Sequence, residues 1–285
     1  MDQTFILRPM SQRFDLKPGE TVTGSVTITN PADSTKDFKY VTSITPYSVV
    51  DSNNTADLGS KNGHTLITDW ITIAEPTGTI APNSSKTVNF TITVPNDAPP
   101  GGQYATIAVS SSPDSKENNG VAVDSILELA SIIYGKVEGQ VVRDVAILGN
   151  DVPGFTFTVP VEVTADLQNK GNIHEDATFS LNVTNVFTGE QIYPTADDKA
   201  TYTELVMPES TRHVTRKISN LPSVGAVKVN QTIYFNGEYS TMEKTVFICP
   251  VWLLLTAIIV IGGLITFITV KLRRHFRRKK SVTFD

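Results

Sequence analysis

FDLKPGETVTGSVTITN, residues 14–30, opens on a Pro18-Gly19 turn signal and then alternates. Val22, Val26 and Ile28 share one parity; Thr21, Thr23, Ser25, Thr27 and Thr29 share the other. A period of two with polar residues on the second face predicts a half-buried strand. Asn30-Pro31 ends it. Phe38, Tyr40 and Ile44 alternate in the same way and supply a pairing strand. Later, Val88, Phe90, Ile92 and Val94 alternate with Thr and Asn after a Pro82-Asn83 turn. Pro99-Pro100-Gly101-Gly102 then turns the chain into Tyr104–Val109. Asp69–Ile73 reads as a short strand. Asp51–Gly63 and Ser110–Gly120 read as polar loops, and the apolar run from Val121 to Val137 as strand rather than helix, from its Ile, Val and Tyr content. Short alternating strands between Pro/Gly turns are the pattern of an antiparallel sandwich.

The second half repeats this grammar without a close sequence repeat. GNDVPG, Gly149–Gly154, is the expected linker. Val159, Val161, Val163 and Ala165 alternate, Asn169-Lys170-Gly171-Asn172 turns, and Phe179, Leu181 and Val183 alternate again. Leu205–Met207, His213–Ile218, Val227–Phe235 and Glu238–Ile248 complete the strands. The last leads into VWLLLTAIIVIGGLITFITV, Val251 to Val270, twenty residues with fifteen apolar side chains and no charge. A helix of that length spans ~30 Å, the thickness of a bilayer's hydrocarbon core. Trp252 stands at one end, where an amphipathic ring suits the interface, and Gly262 and Gly263 sit at its middle. KLRRHFRRKK follows, with Lys271, Arg273, Arg274, Arg277, Arg278, Lys279 and Lys280. Basic residues stay on the cytoplasmic side, which predicts residues 1 to about 248 outside and the tail inside. Read alone, the run is also a nucleic-acid patch; next to a spanning helix it is a stop-transfer anchor that attracts anionic lipid.

The chain carries −5, and its last fifteen residues hold seven basic side chains and one acidic, a balance of +6. Everything before them therefore carries −11, which excludes nucleic-acid binding through bulk charge. The single cysteine, Cys249, lies at the membrane edge, a small apolar residue there or, as the lesser alternative, a lipidation site. No disulfide can form within the outer region, a composition that fits a Gram-positive-type bacterial surface better than a secreted animal module. MDQTFILRPM shows neither the basic nor the apolar region of an export signal, so a signal is expected to precede this start or to have been removed.

Catalytic signals are few. His64, His174 and His213 are far apart in the sequence and His275 lies in the tail; HExxH, CxxC and GxSxG do not occur. Asp51, Asn53, Thr55 and Asp57 have the spacing of a calcium loop, but Ala56 stands where glycine is needed and Asn62 where a bidentate Glu is needed, so a solvated loop is the expectation. His174-Glu175-Asp176 offers metal-ligand types, yet consecutive strand residues face opposite ways. No catalytic, cofactor or metal residue is assigned.

FDLKPGETVTGSVTITNPAD, followed by SKTVNFTITVPNDAPPGGQY, resembles the first domain of bacterial WxL-interacting surface proteins, with Val94-Pro95-Asn96-Asp97-Ala98-Pro99-Pro100-Gly101-Gly102 as the family-like turn. Asn169–Asn172 and Leu221-Pro222-Ser223-Val224-Gly225 look similar in the second half. The resemblance implies a first domain associated with peptidoglycan and a second contacting other surface proteins. It carries over no individual binding residue.

The expectation is therefore an all-β protein of two tandem Ig-like antiparallel sandwiches, 1–148 and 149–248, followed by one transmembrane helix, 249–270, and a basic cytoplasmic tail, 271–285. Its expected role is binding or scaffolding of envelope components, cell-wall polymer or surface proteins, at the plasma membrane, without cofactor or catalysis. The alternatives are a subunit of a larger membrane assembly, for which Gly262 and Thr266 form a small-xxx-small pair, and a membrane-tethered enzyme or metal-dependent module.

Overall fold

The computed structural model describes residues 4–111, 127–195 and 201–280, with side chains through residue 273. Most of the Ser110–Gly120 loop and the start of the apolar run after it lie outside the described residues.

The first domain is built from β1 (Ile6–Arg8), β2 (Ser11–Leu16), β3 (Thr21–Asn30), β4 (Phe38–Pro46), β5 (Ser48–Val49), β6 (Ala56–Asp57), β7 (Ile71–Ile73), β8 (Thr77–Ile80), β9 (Ser84–Thr93), β10 (Gly101–Ser111) and β11 (Glu128–Val137). One sheet runs β1-β3-β9-β7 and the other β2-β11-β10-β4-β8. The first strand changes sheets within the domain: β1 is antiparallel to β3, and β2, two residues on, is parallel to β11. The predicted alternation is met, with Val22 and Ile44 half-buried, but Phe38–Ile44 does not pair with β3: β4 pairs with β10 and β8 in the other sheet. Val26, Ile28, Phe38, Tyr40, Val88, Phe90, Ile92 and Val94 are buried in one core with Phe5, Leu7 and Ile107. Phe14 stands edge-on to Phe90, ring centroids 5.9 Å apart. Asp69-Trp70 departs from expectation: Leu66–Asp69 is a 3-10 turn, and the strand begins at Ile71.

The second domain comprises β12 (Val145–Asp151), β13 (Phe155–Thr156), β14 (Val161–Asn169), β15 (Glu175–Asn185), β16 (Gln191–Tyr193), β17 (Thr201–Val206), β18 (Ser210–Ile218), β19 (Gly225–Phe235) and β20 (Glu238–Ile248). Its sheets run β12-β14-β18 and β13-β20-β19-β15-β16, with β17 also on β15. The same change of sheet recurs, β12 antiparallel to β14 and β13 parallel to β20. Asn236-Gly237, both at positive φ, closes the β19–β20 hairpin in two residues, the turn whose twist matches paired strands. Equivalent asparagines end β3 and β14. Asn30 donates to the carbonyls of Lys36 and Ile80, and Asn169 to those of Ile173 and Val206, tying each loop to the core.

The expected linker is corrected. Gly149–Gly154 lies inside the second domain, because β12 pairs with β14 through Asp151. Asn150 is buried, donating to Gln231 O and Ser240 O, while Gln231 Nε2 donates to Asn150 Oδ1 at 2.9 Å. The passage between the sandwiches is residues 138–144, so the first domain ends near Val137 rather than at 148. After β20, the helix α1 runs Val251–Lys280. Its segment Val251–Arg273 is long and apolar enough to cross a membrane, and none of its apolar window is buried among the described residues. The side chains of Arg274, Arg277, Arg278, Lys279 and Lys280 lie outside the described residues.

Phe90 is fully inside the core, whereas Thr91 faces outward on the same strand. Phe90→Ala is expected to cost about 3–5 kcal/mol and Thr91→Ala about 0.5 kcal/mol or less. Urea unfolding of the full chain in detergent, followed by Trp70 emission, checks this; equal effects would mean that the two faces are misassigned.

Candidate functional site

β10 is buried along Gly101–Val109 without alternation. One face, Ala105, Ile107 and Val109, belongs to the first core. The other needs cover from elsewhere, and at Tyr104 the second domain provides it. Tyr104 packs with Tyr47 and Met207, the last from the segment between β17 and β18. Tyr47, Tyr104 and Tyr134 form an edge-to-face chain, with His174 5.6 Å from Tyr104 and 5.2 Å from Tyr134 between ring centroids.

Hydrogen bonds hold this seam. The His174 N–H donates to the Tyr104 hydroxyl at 2.8 Å, and that hydroxyl sits 3.0 Å from His174 Nδ1. The arrangement is consistent when the hydroxyl donates to an unprotonated Nδ1, leaving the proton on Nε2. Burial first, then the charge of Arg13, lowers the ring's pKa from 6.5 to about 4. Burial likewise pushes the Tyr104 and Tyr134 phenols above their ordinary range. The Gly102 N–H donates to Asn172 O at 2.7 Å, and Asn172 Nδ2 donates to Pro100 O and Gln140 O. Gly101 has φ +114°, and a Cβ there would lie 2.5 Å from Asn172 O, so the close approach needs glycine. A second tie joins His213 N–H to Ser52 O at 2.6 Å. The two turns that carried the family resemblance, 99–102 and 169–172, thus meet each other across the domain boundary.

Beside the seam lies an open cleft of about 460 Å³. Arg13, on β2, faces Tyr134 at 5.8 Å and reaches Asp176 at 3.5 Å; the pair is solvent-exposed and contributes little energy. Arg143 holds Glu175 at 3.1 Å, where burial raises the carboxyl's pKa and Arg143 counters it. Lys136, Tyr234 and Asn236 complete the rim.

The histidines expected to be scattered come together on this boundary. His64 Nδ1 is 2.9 Å from Gly102 O, His174 holds Tyr104, and His213 Nδ1 is 2.7 Å from Asp166 Oδ1. They do not converge on one point. No cluster of three His, Cys, Asp or Glu fit to hold a metal occurs among the described residues. Asp51 caps its own loop, accepting from Asn53 N, Thr55 N and Thr55 Oγ1. His174, Glu175 and Asp176 all line this cleft, contrary to the expected division between faces, and their side chains meet Tyr104, Arg143 and Arg13 respectively. Arg13, Tyr104, Tyr134 and Arg143 escaped the sequence reading as site residues; the unalternating run of β10 was a signal for Tyr104 alone.

No family model matches the chain, and no curated protein matches it. Among solved structures it is similar to a chain of a chaperone–tip adhesin complex of CFA/I fimbriae biogenesis (11% identity, 85% of this chain and 98% of that chain, TM-score 0.43). The class 5 fimbriae chaperone CfaA is similar too (15% identity, 85% and 99%, TM-score 0.41). So is a chain of the Salmonella enterica SafA pilin–SafB chaperone complex (11%, 86% and 96%, TM-score 0.40). Likenesses this distant concern fold only. They correct the expected membership of the WxL-interacting family: the solved structures named are of fimbrial chaperone systems, and neither that family nor its peptidoglycan partnership finds support. The quoted residues are turn and strand-end signals that a sandwich needs for its own geometry.

His174 titrates below its unfolded value, so its contribution is whole above pH 6.5 and is lost as pH falls toward about 4. The stability advantage of the wild type over His174→Gln should shrink by on the order of 2 kcal/mol between about pH 7.5 and 4.5. Urea midpoints at the two pH values measure it; a pH-independent difference would contradict the neutral-ring geometry.

Proposed function

We propose that this is a non-catalytic, single-pass membrane protein whose two sandwiches stand outside the plasma membrane and bind other proteins of the envelope in the cleft between them. One observation carries the reading. The seam through Tyr104, Asn172 and His174 fixes the sandwiches to each other, so the cleft is formed before any partner arrives, and binding does not have to order it. Its lining suits a polar peptide segment: cations and carboxylates of both signs within one cleft, with the exposed Tyr234 beside them. Four of the charged groups there are paired, Arg13 with Asp176 and Arg143 with Glu175, which suits a recognition surface better than an acid–base pair awaiting substrate.

A role as subunit of a larger membrane assembly is the second reading. A Cβ added at Gly262 would meet nothing within 4 Å among the described residues, and Thr266 turns its hydroxyl back onto Gly262 O at 2.6 Å, leaving a smooth stripe.

Two outcomes follow. Protease added to intact cells should digest residues 1 to about 245 and spare an epitope on the tail; a protected outer region would overturn the topology. Lys136→Glu with Tyr234→Ser alters the cleft without touching the seam. Capture of cross-linked surface proteins by the full chain should fall about tenfold, or about 1.4 kcal/mol. Unchanged capture would remove the cleft.

A further inference from the structure

The strand directions of the second domain bring one set of loops to the end where the chain enters α1. β20 reaches this end at Ile248, with Phe247 opposite Phe155 on β13 and Ala226 on β19. β15 reaches it at Asn185, opposite Val227, and the turn that follows holds Val186 N–H on Ala226 O. The loop before β19 arrives there too, Gly225 standing opposite Ile248.

This end is apolar and exposed. Phe155, Phe157, Val186, Phe187, Val224 and Phe247 all present their side chains to solvent, Phe187 at 77%. Phe155 and Phe157 stand edge to face, 4.9 Å apart. It is also free of charge: residues 152–161, 177–189, 218–227 and 245–270 contain no Asp, Glu, Lys, Arg or His, in an outer region that carries −11. A bare phenylalanine rim without charge is costly in water and matches the interfacial zone of a bilayer.

The connection leaves it little choice of position. Cys249 N–H still donates to Thr156 O at 3.0 Å, and Leu253 N–H already donates to Pro250 O. Strand pairing therefore runs to within a residue of the helix, and Phe247 is four residues, at most ~14 Å of extended chain, from α1's first residue.

We infer that the second domain does not hang from the helix on a tether but sits on the bilayer, its Phe155–Phe157–Phe187–Phe247 rim dipped into the lipid interface of the membrane that α1 crosses. This rests on the spanning role of α1 proposed above. The occupant is lipid, and neutral lipid suffices, because the rim presents phenylalanine rings, with Lys244 standing behind them beside Gly154. Seating fixes the long axis of the domain against the membrane and so the height and direction at which the cleft at its far end is presented.

The test uses the full chain in vesicles of phosphatidylcholine brominated on its acyl chains, which quench tryptophan on contact. Trp70→Phe leaves Trp252 as reporter of helix insertion. Trp70→Phe, Trp252→Phe and Phe187→Trp leaves one reporter on the rim, at a site too exposed to disturb folding. Loss of emission from both reporters relative to unbrominated lipid is the expected result. Quenching at 252 with none at 187 would overturn the seat while keeping the span, as would a rim covered by a second copy or another protein. Quenching at 187 alone would keep the seat and remove the span. No quenching at either would overturn both.

Discussion

One hydroxyl does two jobs at the centre of this molecule: that of Tyr104 accepts the backbone N–H of His174 and donates to the same residue's ring. Both bonds lie out of bulk water, where an unmade partner costs more than a made bond gains. The seam is thus all or nothing. With it, Tyr134 and Tyr47 stack into a continuous aromatic chain, Asn172 reaches the carbonyls of Pro100 and Gln140, and Arg13 and Arg143 meet the carboxylates at the start of β15. Without it, Tyr104 would be a large side chain on an exposed sheet face. The neutral state of His174 follows from its burial at this seam, which lowers the ring's pKa to about 4.

The second constraint is at the other end of the second domain, where strand passes into helix with almost no intervening chain. A short connection converts a helix that anchors into one that also orients. On the proposed reading, in which α1 spans the membrane, the seam passes that orientation to the first domain, and the cleft becomes a surface held at a set height. Binding or scaffolding at a membrane benefits from this, because a partner docking to a fixed cleft does not bear the entropy of ordering it.

Much of the fold was legible in the residues. Val22–Ile28, Val88–Val94, Val161–Ala165 and Phe179–Val183 each turn their alternate apolar residues inward, as period two predicts, since each sheet has one wet side. Where that condition fails, so does the reading. β10 is covered on both sides, and its lack of alternation marks the face that meets the second domain. Gly149-Asn150-Asp151 looks like a linker because it is polar and flexible in composition, but Asn150 finds its partner in Gln231, eighty-one residues along the chain. The cleft was invisible for the same reason: Arg13 and Asp176 meet only once two domains are placed, and no local pattern encodes that placement. The family resemblance failed because turn residues are shared by many sandwiches. Proline and glycine at 99–102 report the geometry of a close approach, and that geometry is common to unrelated surface proteins.

The claim that two sandwiches act as one fixed body is tested most directly by a distance across the seam. With Cys249→Ser as background, spin labels at Thr87→Cys and Thr215→Cys place one probe on an exposed strand of each domain. Double electron–electron resonance on the full chain in nanodiscs should give a single narrow distance distribution at neutral pH. A broad or multimodal distribution would show that the domains swing independently, and neither a preformed cleft nor its fixed height above the membrane would survive that result.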